Sequence, residues 1–161
     1  MKHFVVVRHG SYDFQRTDFE GQKRSVDFLI PEGVQGLINL GIKVQPLAEK
    51  GRIVIFSSMA PRAVQSASIL LGVFGGGIME LQSAFGNTQG DEDGTPEDED
   101  MRLISSRDDA DLVIVVTHQP WTGYLATKFL KQRLSIEKRL GDLSPGKAWV
   151  IDAIKGETQQ F

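Results

Sequence analysis

The sequence predicts a three-layer α/β/α sandwich on a mostly parallel central sheet. Three observations lead there. Short apolar runs, mostly β-branched, recur along the chain. Between them lie stretches with helical spacing, opened by proline and closed by glycine. Several of the runs end abruptly in polar residues. Alternation of this kind builds parallel sheets covered by helices on both faces. In such sheets ligands bind just beyond the carboxyl ends of the strands, so polar strand ends are the first place to look for function. A length of 161 residues favours a single domain over 1–161.

Each element follows from its local pattern. Phe4–Val7 suits a buried strand and is cut off by Arg8, His9 and Gly10. Gly10 frees the backbone to turn and lets a ligand come close. Residues 11–30 are mixed and polar, and are read as a loop. Pro31 opens a helix that Gly41 is expected to stop. Ile53–Phe56 is the second strand, followed by Ser57 and Ser58. A helix from about Pro61 to Leu71 carries Ala63, Ala67 and Leu70 at helical spacing, and Gly75–Gly77 breaks it. Ile78–Leu81 fits a short edge strand. Residues 86–100 are read as an acidic loop, and Met101–Asp109 as a short helix. Leu112–Val116 is the most apolar run and the expected central strand, ended by Thr117, His118, Gln119 and Pro120. A helix over Trp121–Arg133 and a last strand over Ala148–Ile151 complete the chain.

Composition excludes several classes. Cysteine is absent, which removes disulfides, thiolate metal sites and a cysteine nucleophile. No apolar segment approaches the ~20 residues of a membrane-spanning helix. The four apolar residues before Arg8 are too few for a signal peptide. A cytoplasmic protein without a membrane partner is therefore expected. Lys and Arg are scattered rather than gathered into a stripe, so no nucleic-acid partner is expected. Residues 91–100, DEDGTPEDED, hold seven acidic residues and no basic one. They are read as a solvated loop; the spacing of a calcium loop is missing. Repulsion of anionic substrates or docking of a basic partner face is the sharper alternative.

Three strand ends offer polar groups to one presumed edge. They are Arg8-His9, Ser57-Ser58 leading to Arg62, and His118. The planar fork of arginine matches phosphate oxygens and stays charged. Histidine acts as nucleophile, acid, base or donor near neutral pH. Two of each on one edge point to phosphoryl transfer, with one histidine attacking and the cations holding the equatorial oxygens. His3, on the first strand, is read as structural.

Arg8-His9-Gly10 after a strand resembles the Arg-His-Gly (RHG) signature of the histidine phosphatase superfamily, whose fold is phosphoglycerate mutase-like. LIPEG at 29–33 resembles the family's LTxxG. FSSMAPRAVQSASIL at 56–70 resembles SSxxxRAxQTAxxL, VIVVTHQPWTGYLA at 113–126 resembles hhhVGHNPxhxxLh, and SPGKAWVID at 144–152 resembles the closing xPGxhxxhx strand. The matches run in order across nearly the whole chain. The short length and the His-Gln-Pro-Trp stretch are most similar to small bacterial phosphohistidine phosphatases of the SixA type.

The resemblance implies roles. His9 would be the nucleophile, and Arg8 and Arg62 would clamp the phosphoryl oxygens. His118 would donate a further hydrogen bond. Ser58 would position Arg62 or its loop. Gln15 stands where many members have a phosphate-touching Asn. No metal and no cofactor are implied. The departure lies at the proton donor, a Glu in the family's LxExxFG. Here the segment is ELQSAFG at 80–86, which puts Gln82 at that position. Glu80, two residues earlier and so on the same face of a strand, is the replacement acid. Asp91, Glu92 and Asp93 are further candidates.

The expected function is metal-independent hydrolysis through a phosphohistidine on His9, with phosphohistidine proteins as substrate. Imidazole leaves easily, so a missing acid costs least there. A small-molecule phosphomonoesterase, or a weakly catalytic phosphoprotein-binding module of the same fold, remains the alternative. A monomer is the expected state.

Overall fold

Leu112–Thr117 reads LVIVVT, and all six residues are buried. Only a strand covered on both faces tolerates such a run, and in the computed structural model it lies inside a six-stranded sheet. Residues 1–13, 16–17, 23–24, 27–48, 51–86 and 99–161 are described, with 16–17 and 23–24 as backbone alone. In chain order the strands are β1 (His3–Arg8), β2 (Tyr12–Asp13), β3 (Arg16–Thr17), β4 (Lys23–Arg24), β5 (Phe28–Leu29), β6 (Ile53–Ser57), β7 (Ile78–Leu81), β8 (Leu112–Thr117), β9 (Ala148–Asp152) and β10 (Thr158–Gln160). The helices are α1 (Pro31–Val44), α2 (Pro61–Phe74), α3 (Glu99–Ser105) and α4 (Trp121–Leu134).

The sheet order is β10-β9-β1-β8-β6-β7. β1, β8, β6 and β7 run parallel, while β9 is antiparallel to both β1 and β10. Alternate residues of each strand feed opposite cores. Val5, Val7, Ile55, Ile114 and Val116 meet Leu37 and Leu40 of α1 and Ala63, Ala67 and Leu70 of α2. Phe4, Val6, Val54, Phe56, Val113 and Val115 meet Met101 and Ile104 of α3 and Leu125, Phe129 and Leu130 of α4. The expected α/β class with a mostly parallel sheet holds. Among the described residues no helix is long and apolar enough to cross a membrane.

Four local expectations are corrected. α1 does not stop at Gly41 but continues to Val44. That glycine is a contact point: a Cβ there would lie 3.0 Å from Val73 Cγ1, so its absence lets α1 and α2 approach. Gly10 likewise serves packing, since a Cβ there would sit 2.9 Å from the Gly33 carbonyl oxygen at the start of α1. Residues 11–30 are not all loop: Tyr12 pairs with Leu29 and Asp13 with Phe28 as an antiparallel ribbon. The strand β10 was not expected, because TQQ carries no apolar pattern; it forms by pairing with β9. Residues 91–98 of the acidic stretch lie outside the described residues.

Candidate active site

The parallel strands end side by side, and the ladder runs on past them. The backbone N–H of His9 donates to the Thr117 carbonyl at 3.1 Å, and that of Ser58 to Val116 at 3.0 Å. The ends of β1, β6 and β8 are thus tied to one another at the residues that carry polar side chains. His9, Ser58 and His118 are all buried, with His9 only 3% exposed. The two imidazole rings lie 5.0 Å apart between centroids.

The hydrogen bonds of His9 define its state. Its Nδ1 lies 2.9 Å from the Gly10 carbonyl, which can only accept, so Nδ1–H is the donor. Nε2 keeps its lone pair and receives the Arg62 Nε–H at 3.2 Å. Burial, opposed by the Gly10 bond and reinforced by the Arg62 and Arg8 cations, lowers the His9 pKa from 6.5 to about 4. His118 is lowered from 6.5 to about 3, first by burial and then by Arg62, His9 and Arg8. Both rings are neutral at pH 7. A neutral imidazole with a bare Nε2 is the nucleophilic form.

The two arginines are held differently. Arg8 Nη1 donates to Gln119 Oε1 and to the Leu143 carbonyl, each at 2.7 Å. Gln119 is fixed in turn by donating to Asp142 at 2.9 Å. Arg62 Nη1 pairs with Asp27 Oδ1 at 2.6 Å, and its guanidinium lies 4.8 Å from the centre of the Tyr12 ring. Ser66 Oγ accepts the Gly10 N–H and donates to the Arg62 carbonyl, which ties the loop after β1 to α2.

No protein-family model matches the chain, and no curated protein matches it in sequence. Solved structures do match. The protein histidine phosphatase SixA complexed with tungstate aligns with a TM-score of 0.67 at 15% identity, covering 99% of this chain and 94% of that one. The fold is that of the histidine phosphatases. A mycobacterial glucosyl-3-phosphoglycerate phosphatase aligns at 0.62 and 16% identity, over 99% and 97% of the two chains. A phosphoserine phosphatase from Entamoeba histolytica aligns at 0.55 and 17%, over 99% and 95%. The structural neighbours are phosphatases and phosphoglycerate mutase-like enzymes, as the sequence resemblance implies.

On this histidine-phosphatase fold, Arg8, His9, Arg62 and His118 come together as the strand ends place them. Glu80 does not join them by any contact. It stands in register with Phe56, on the face that packs against α3, and its carboxylate is engaged by Arg107 just beyond that helix. Counting back two residues from Gln82 keeps a face only within a strand, and β7 ends at Leu81. Gln15 lies outside the described residues, as do Asp91, Glu92 and Asp93. Ser58 is placed against His118 rather than Arg62: its Oγ lies 2.5 Å from His118 Nε2.

Asp27, Tyr12, Gln119 and Ser66 were not anticipated. A half-buried arginine calls for an anion, and Asp27, two residues before the buried Leu29, was the available signal.

Proposed function

We propose that the chain is a metal-independent phosphatase that hydrolyses phosphohistidine on proteins through a phosphoryl intermediate at His9 Nε2. The observation that carries this reading is the state of His9: buried, neutral, hydrogen-bonded at Nδ1 and unprotonated at Nε2, with Arg62 on that nitrogen and the Arg8 cation near enough to lower its pKa. Arg62 Nε occupies the Nε2 lone pair. An arriving phosphoryl group therefore draws Arg62 from the nitrogen onto its oxygens, which frees the nucleophile as it binds the substrate.

His9 Nε2 attacks phosphorus in line as the substrate's P–N bond breaks. The electron pair goes to the departing imidazole, which carries its own proton away. Arg8 and Arg62 hold the charge on the equatorial oxygens. Water then attacks the phosphohistidine, and the P–Nε2 bond breaks to release inorganic phosphate. Glu80 is engaged by Arg107 and Asp27 by Arg62, so neither is a free acid for an alkoxide leaving group. That favours phosphohistidine over alkyl phosphoesters.

The test is phosphate release from a phosphohistidine peptide and an aryl phosphate, with EDTA present and His9→Ala beside the wild type. Turnover that resists EDTA, vanishes in His9→Ala and favours the peptide supports the reading. The engagement of Glu80 and Asp27 by arginines also favours a second reading, a phosphoprotein-binding module. Wild type that binds the peptide without releasing phosphate would select that reading.

A further inference from the structure

His118 has one ring nitrogen with a protein partner and one without. Nε2 lies 2.5 Å from Ser58 Oγ. Gly86 lies against the ring carbon bonded to Nε2, where a Cβ would sit 3.5 Å from His118 Cδ2. Nδ1 is buried and has no hydrogen-bond partner among the described residues. A buried polar atom left this way is rare enough to need a reason.

The Ser58–His118 contact can be read in two ways, and the surroundings of Ser58 decide between them. Its Oγ accepts the backbone N–H of Ala60 at 3.3 Å. The hydroxyl has one proton to give, and among the described residues the acceptor beside it is His118 Nε2. If Nε2–H were the donor instead, the buried hydroxyl would accept twice and its own proton would have no acceptor. Donation from Ser58 makes Nε2 the bare nitrogen and puts the ring proton on Nδ1.

We infer that Ser58 is a positioning residue that fixes His118 as the Nδ1–H tautomer, so that this unpartnered N–H is reserved for an oxygen of the transferring phosphoryl group. The opposite tautomer would aim a lone pair at that oxygen and repel it. The low pKa of His118 means that its tautomer, not its charge, sets what it can donate in the free protein. The oxygen reaches Nδ1 as the phosphoryl group displaces Arg62 from His9. The two histidines are thus set alike by different devices. A backbone carbonyl holds the His9 proton on Nδ1 and bares Nε2 for attack; a serine hydroxyl bares the His118 Nε2 and leaves its Nδ1–H to donate.

The role in turnover rests on the phosphatase reading, but the tautomer does not. The chain has three histidines, so long-range ¹⁵N–¹H spectra of the free protein are assigned by comparison with His9→Asn and His118→Asn. The expected spectrum shows His118 protonated at Nδ1 and bare at Nε2. Ser58→Ala should lose that signature and weaken orthovanadate binding roughly tenfold to a hundredfold, less than the ~10²–10³-fold for removing such a donor outright. Ser58→Thr, which keeps the hydroxyl, should restore both. Wild-type His118 protonated at Nε2 overturns the inference, as does Ser58→Ala with an unchanged tautomer and vanadate affinity. Should Ser58→Ala fail to fold, the wild-type and Ser58→Thr spectra still decide. Failure of the phosphatase reading appears separately, as an absence of phosphate on His9.

Discussion

The floor of the site comes from the ends of β1, β6 and β8, whereas its outer wall comes from the β2–β5 ribbon, two residues to a strand. The floor carries His9, Ser58 and His118 on backbone that continues the parallel ladder. The wall carries Asp27 and Tyr12, which hold Arg62 from outside through an ion pair and a ring contact. On the proposed mechanism the floor sets which nitrogen attacks. The wall sets where one of its cations waits. Chemistry should therefore collapse when the floor is altered and weaken by degrees when the wall is.

The largest effect is expected at the floor. His9→Ala should lower kcat/KM by at least ~10⁴-fold on every substrate, because it removes the proposed nucleophile. His118→Asn should cost roughly 10²–10³-fold by removing one donor. Steady-state kinetics on an aryl phosphate checks both. Equal, modest losses in the two variants would erase the distinction between nucleophile and donor.

The floor also ties stability to pH. His9 and His118 have folded-state pKa values of about 4 and about 3, below their ordinary 6.5. Protonation therefore favours the unfolded chain. Their contribution is complete above about pH 6.5, and it is lost progressively as pH falls from there to about 4 for His9 and about 3 for His118. For His9 alone this is on the order of 3 kcal/mol. Denaturant unfolding at pH 7 and pH 4.5 should show a marked loss in wild type and a smaller one in His9→Asn. An identical loss in both would mean that His9 is not buried neutral.

The same division explains what the sequence revealed. Phe4–Val7 and Leu112–Val116 declare themselves because burial on both faces demands unbroken apolar residues. Arg8, His9 and His118 stand out because they end those runs, and Arg62 because it opens the helix after the next one. Only its position two residues before the buried Leu29 marks Asp27, and nothing local marks Tyr12. Their place depends on Tyr12 pairing with Leu29 across the intervening chain, and two residues are too few to show a period. Glu80 misled for a related reason: alternation is legible, but the residue at which β7 ends is a tertiary fact. Gln119 and Asp142 meet through a loop contact that no spacing encodes.

At the wall, Asp27→Asn should leave the fold intact and lower kcat/KM about tenfold, because Arg62 keeps its charge but loses the anion that orients it. Kinetics of Asp27→Asn beside Arg62→Ala checks this. If Asp27→Asn were as damaging as Arg62→Ala, the wall would belong to the floor. An unchanged rate would show that the β6–α2 junction alone positions Arg62.

The smallest effect is expected where the wall meets solvent. Phe28 is 58% exposed beside Asp27, and Met59 is 61% exposed beside Ser58. Large apolar side chains standing this open beside Asp27 and Ser58 suit a protein surface better than a small polar phosphate ester. Neither touches the reacting atoms. Phe28→Ser and Met59→Ser should each reduce kcat/KM on a phosphohistidine protein by roughly three- to tenfold, as peripheral contacts do. Turnover of an aryl phosphate should hold within twofold by the same reasoning. The ratio of the two substrates is the informative quantity. A parallel fall in both would place Phe28 and Met59 in the support of Asp27 and Ser58. No fall in either would leave the protein substrate recognised elsewhere, and would turn the search toward the face beyond Gln119 and Asp142.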